Sequence, residues 1–299
     1  MAASNWILIS LLSALLMALV ALVDRYVLVN LVKSALAPLS VLGVIGLIPS
    51  LAILAVKGRP GLDGAGVLLG LGAGLAFLAM GYFYFRAAQV EEISRVIPLY
   101  YLSPALVAAL APFLVNESLT AGKYAGIALL IAGAALISLR WPPGLRHGGA
   151  AVRLMVLAAA GLAAYSLATK RLLSFGDYWS VFALARLGMF FGVVPIVLRH
   201  RRILRAEVSG RRGRNVVLFM AANEALAMAA SFVFTVAASL GPISIVNALS
   251  STQPFFVLAL GLVLARFRPG LLKEERGLAA TGLKVAAIAI MFAGLVLIL

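Results

Sequence analysis

The chain has 299 residues, of which 64% are hydrophobic and only 12% charged. Its mean hydropathy is +1.09, more apolar surface than a water-soluble fold of this size can hide. The net charge of +15 would suit nucleic acid in a soluble protein, but the basic residues gather in short connections, where they face lipid headgroups. The absence of cysteine excludes disulfides, thiol catalysis and Cys-ligated metals.

The apolar runs are continuous rather than alternating, which predicts spanning helices instead of a β-barrel. A hydrocarbon core of about 30 Å takes about 20 helical residues to cross. Runs bounded by charges, Gly or Pro give spans at 5–28, 35–56, 64–85, 94–115, 119–139, 153–173, 178–198, 216–240, 243–264 and 278–299. The expected fold is therefore an all-α membrane protein of ten transmembrane helices. The uncharged start of the chain lacks a basic segment and a cleavage site, so it reads as a retained first span.

Span one ends with Asp24 and Arg25, a gating pair or an interfacial ion pair. Gly66, Gly70 and Gly74 in span three keep the four-residue spacing that lets helices approach closely. Gly122 and Gly126 in span five, and Gly188 and Gly192 in span seven, repeat it. Span three closes on Tyr82, Tyr84 and Arg86, an interfacial girdle, with a gating role for Arg86 as the alternative. Trp6, Trp141 and Trp179 at span ends read as the same belt.

Span four carries Tyr100, Tyr101, Ser103 and Pro104, and span nine carries Asn247, Ser250, Ser251, Thr252, Gln253 and Pro254. Proline interrupts the helical ladder and frees a carbonyl, and interruptions in matching spans point to a substrate site near the midplane. Tyr100, Tyr101, Asn247, Ser251 and Gln253, with Asn223 of span eight, then suit an amphipathic organic solute. The alternative is polar glue between helices. Arg186 in span seven and Glu224 in span eight are ionisable groups deep in apolar helices, a costly placement that asks for a reason. Glu224, beside Asn223, either faces a central cavity and holds a cationic group or a coupling proton, or forms a fixed ion pair with Arg186. The 199–215 segment reads as a solvated basic loop. His147 and His200 lie in loops, and no HExxH, GxSxG or paired intramembrane Asp is present, so neither an enzyme nor a cofactor is expected.

The chain repeats itself. Shifted by 150 residues, Ala87-Ala88 falls on Ala237-Ala238, Ile93-Ser94 on Ile243-Ser244, Leu99 on Leu249 and Pro104 on Pro254. Two halves, 1–143 and 144–299, each then hold five spans. An odd number inserts the second copy upside down, the inverted repeat of many secondary transporters. Lys and Arg concentrate in the odd-numbered connections, which places those in the cytoplasm and both termini outside.

The stretch from Phe83 to Ile137 resembles the end of an EamA-type repeat of the drug/metabolite transporter superfamily. The resembling features are Ala87-Ala88, Ser103-Pro104, the Glu-x-x-Thr turn from Glu117 to Thr120, and the small-residue fifth span with Gly126 and Gly133. The second half departs from it, with Arg266 and Phe267 where the first has Asn116 and Glu117, and with extra residues before the last span. The resemblance implies a secondary transporter, monomeric or homodimeric, in the cytoplasmic membrane, carrying a small metabolite, amino acid or drug-like compound by alternating access. It also implies termini inside, opposite to the charge count. A lipid-handling or accessory membrane subunit is the competing class.

Overall fold

In the computed structural model, the described residues are 5–32, 36–90, 99–138, 149–208, 210–267 and 278–298. The regular structure among them is helical throughout. In chain order the helices are α1 (Asn5–Asn30), α2 (Leu36–Ile45), α3 (Leu47–Lys57), α4 (Gly64–Val90), α5 (Leu102–Leu114) and α6 (Ala121–Ser138). They continue as α7 (Gly149–Leu173), α8 (Tyr178–Val208), α9 (Gly210–Leu240), α10 (Ile243–Ser250), α11 (Gln253–Phe267) and α12 (Leu278–Ile298).

Among the described residues, seven stretches are long and apolar enough to cross a membrane: Asn5–Asp24, Leu36–Lys57, Gly64–Ala87, Gly149–Leu173, Tyr178–Arg202, Gly213–Leu240 and Ile243–Gly261. Three shorter apolar helices, Leu102–Leu114, Ala121–Leu136 and Gly282–Ile298, fall at the remaining expected spans. Large apolar side chains such as Phe113, 81% exposed, and Val56, 83% exposed, point outward. Only a lipid surround makes that arrangement favourable.

Two expectations need correction. The second span is not one helix: it breaks at Gly46 between α2 and α3. Pro49 explains the break, because its ring opposes the carbonyl of Ile45 and it has no N–H to donate. The basic 199–215 segment is not a loop either. Its described residues continue α8 and begin α9, with non-helical geometry at His200. Its many arginines are good helix formers and extend both helices past the apolar limit. Trp141, His147, Glu91, Glu92 and the insertion at 270–277 lie outside the described residues.

Two further breaks fall near the matched prolines. Tyr101 stands between the helical residues 99–100 and α5, and Ser251-Thr252 separate α10 from α11. Each break lies just before its proline, Pro104 or Pro254, and the two are 150 residues apart. At the second, Ser251 and Thr252 N–H groups turn back to the Ala248 and Leu249 carbonyls, three residues away rather than four.

The main packing pairs are α4 with α7 and α8, α6 with α12, α1 with α9, and α2 with α8. Glycine makes the closest of these approaches. A methyl group at Gly74 would collide with the Ala185 carbonyl on α8, and one at Gly188 with the Leu71 carbonyl on α4. Gly126 and Gly294 face each other across α6 and α12, where a Cβ on either would lie 2.7 Å from the other's carbonyl oxygen. Gly70, Gly133 and Gly192 likewise abut neighbouring helices, whereas Gly122 meets nothing and Gly66 meets its own preceding loop.

Candidate functional site

α1, α8 and α9 bring Asp24, Arg186, Asn223 and Glu224 together inside the apolar bundle. Arg186 is 3% exposed and Glu224 7%. Arg186 Nη1 donates to Glu224 Oε1 at 3.1 Å. The guanidinium also lies over the Phe182 ring, with Cζ 5.1 Å from its centroid, and Nη1 is 3.7 Å from Met189 Sδ. Its aliphatic stem runs past the break at Gly46, where a Cβ would stand 3.2 Å from Arg186 Cδ. The second span thus breaks beside the buried charge.

Asn223 Nδ2 donates to Asp24 Oδ1 at 2.7 Å, so a described partner of Asp24 lies on α9. Asn223 Oδ1 is buried with no hydrogen-bond partner among the described residues. Tyr84 meets Tyr100 edge to face at 6.0 Å, and Tyr100 meets Tyr101 at 6.1 Å. Two carboxylates, one guanidinium and an amide therefore neighbour one another, with a formal excess of acid among the described residues.

The residues of span nine divide. Asn247, 3% exposed, donates from Nδ2 to the Ile243 carbonyl at 3.2 Å, and its Oδ1 lies 3.2 Å from Ser166 Oγ on α7. Gln253 Nε2 donates to the Met17 carbonyl of α1 at 3.2 Å. The contacts with Ser166 and Met17 join helices, while the bond to Ile243 stays within α10. Ser251 Oγ at the break, and Ser103 Oγ beside the break of span four, are instead buried without a partner among the described residues. Arg86 is exposed at the end of α4, where it donates to Gln89 Oε1 at 3.4 Å, and it does not join the buried group.

Sequence reasoning missed a second charged arrangement. Glu117, following α5, accepts from the Ile243 N–H at 2.6 Å and the Ser244 N–H at 2.9 Å, the first amides of α10. Lys170 of α7 donates to the Ala238 and Gly241 carbonyls at 2.8 and 2.7 Å, at the C-terminus of α9. An anion at a helix start and a cation at a helix end both oppose the helix dipole. Together they seal the α9–α10 turn between elements of the two halves. The available signal was Gly241-Pro242, a turn whose flanking helix ends need partners when held in apolar surroundings.

Comparison with known proteins agrees with this architecture. No curated protein matches the sequence. A solved crystal structure of a protein superposes on it with a TM-score of 0.73 at 19% identity, covering 98% of this chain and 96% of that one, a likeness of fold alone. Residues 4–139 match the EamA-like transporter family. The chain is thus a multi-pass helical membrane protein whose residues 4–139 are similar to EamA-like transporters.

Proposed function

We propose that the chain is a secondary active transporter that moves a small organic metabolite, amino acid or drug-like compound across the cytoplasmic membrane by alternating access. In this reading it spans ten times, as two oppositely inserted five-helix repeats, 1–143 and 144–299. The observation that carries it is the pair of helix interruptions at Tyr101 and Ser251-Thr252, at the same position of each half. The packing pairs support the same symmetry. α4 against α7 in one direction corresponds to α9 against α1 in the other, α4 against α8 to α9 against α2, and α6 meets α12 on the axis.

Two packings related by such an axis exchange, and a site on the axis opens to one side and then the other. Tyr100, Tyr101 and Ser251 line the interruptions and bind the solute, stacking on its apolar part and bonding its polar part. Asn247 and Gln253 hold the interrupted segments in place beside it. The acidic excess of Asp24 and Glu224 over Arg186 takes up a proton or a cationic group. Binding there competes with the Arg186–Glu224 pair, and this competition couples the solute to the switch.

The test is uptake into proteoliposomes, screened over amino acids, nucleosides and cationic drugs with and without a pH gradient. A carrier accumulates at least one of them, and Glu224→Gln removes the response to the gradient. Failure of every solute class in intact, sealed vesicles would overturn the proposal.

A further inference from the structure

A groove of about 590 Å³ runs along the outer face where α4 and α8 meet the start of α2. Its walls are apolar, formed by Leu75, Leu78, Ala79 and Ile196, and its floor passes Gly192. One end is polar, closed by Arg86 and His200. From Leu75 to Arg86 is eleven residues, a rise of about 16 Å along a helix. That matches one leaflet, about half of a 30 Å hydrocarbon core.

The formally charged side chain among the described residues lining the groove is Arg86. Arg199, Arg201 and Arg202, all exposed, adjoin the lining residue His200 in the sequence. His200 is also where α8 departs from helical geometry. A basic end at headgroup depth above an apolar channel one leaflet long fits an anionic phospholipid, phosphate on Arg86 and acyl chain along Ala79 and Ile196.

We propose that this groove is a binding site for one anionic diacyl phospholipid, held as a resident of the protein. The site is separate from the buried polar group of Asp24, Arg186 and Glu224. It requires only that the chain spans the membrane, and stands whether or not solute transport is found.

The test is native mass spectrometry of delipidated protein in detergent, given equal amounts of phosphatidylglycerol and phosphatidylethanolamine. The wild type should retain the anionic lipid several-fold over the zwitterionic one. Arg86→Gln, at an exposed position, should cut that preference about five-fold, the worth of one surface charge against an anionic headgroup. Ala79→Trp, which fills the channel, should lower retention of both lipids. Glu91 and Glu92 follow closely in the sequence, and a wild type showing no anionic preference would mean that they outweigh the arginines and would overturn the proposal. Anionic-lipid retention unchanged in both variants, or in whichever of them purifies folded, would do the same.

Discussion

Arg186 has one described carboxylate partner, and neither side chain of the pair reaches solvent. Removing one member leaves a bare charge in an apolar bundle, a loss of about 3–5 kcal/mol, whereas replacing both with apolar side chains of similar size is often neutral. Glu224→Met alone should therefore lower abundance and thermal stability sharply. The Arg186→Met/Glu224→Met double variant should recover stability in detergent melting while remaining inactive in vesicle uptake. A stable double variant that still transports would reduce the pair to scaffolding. At the start of α8, Asp177 is exposed enough to isolate a simpler effect. Modest burial raises its carboxyl, but the Ser180 hydroxyl at 2.7 Å and the Trp179 and Ser180 amides at 2.9 and 3.2 Å outweigh it and hold the group below the ordinary carboxylate range. A depressed folded-state value means that this contribution is complete above the unfolded value, about 3.9, and is lost as pH falls through the folded one. Asp177→Ala should remove about 1 kcal/mol and lower the melting temperature by about 2 °C at pH 7. The deficit should shrink toward zero in strongly acidic buffer.

Helices read unevenly from sequence, and proline accounts for much of the difference. Pro104 and Pro254 each lie inside an apolar run with polar neighbours, so their breaks could be placed before any coordinates. Pro49 has the same effect, but Ser50 is the one polar residue next to it, and the run 35–56 reads as uninterrupted. The arginine-rich 199–215 segment misleads in the other direction, since charge density marks the end of an apolar span without marking the end of a helix. Arg186 and Glu224 were legible because a charge in an apolar run stands out, and their pairing was one of the two readings that neighbouring antiparallel spans allowed. The seal at the α9–α10 turn was not, because Glu117 and Lys170 reach helix ends 126 and 68 residues away, and no local pattern encodes such a partner. That seal is testable as an element. Glu117→Gln keeps the shape and removes the charge, and should cost about 1–2 kcal/mol at a partly buried helix start. Amide exchange at Ile243 and Ser244 should speed up by about ten-fold in consequence, with α12 unaffected. Unchanged exchange at those two amides would mean that the carboxylate adds nothing to the α10 start.

At the scale of the molecule, the principal contacts cross between the two sequence halves. α4 lies against α7 and α8, α1 against α9, and α6 against α12, with glycine carbonyl contacts at both the α4–α8 and α6–α12 seams. Water supplies no hydrophobic drive between helices in lipid, so such close packing and the few buried polar bonds must hold the bundle. Bonds such as Ser13 to the Ala230 carbonyl at 2.9 Å and Ser50 to the Ala183 carbonyl at 2.8 Å also join one half to the other. Neither half then owns a complete interior. Expressed alone, 1–143 and 144–299 should each be degraded or aggregate, because the faces of α4, α6 and α1 lose the surfaces they fit. Expressed together as separate polypeptides, they should copurify as a stoichiometric pair. Gly126→Leu, which drives a side chain into the Gly294 backbone, should weaken that copurification more than Gly122→Leu, which meets open space. The comparison separates a specific seam from a general loss of insertion, since both substitutions raise apolarity equally. A 1–143 fragment that purified alone as a monodisperse helical protein would show that the halves are independent units, and would remove the interleaved packing on which an exchange between two inverted arrangements depends.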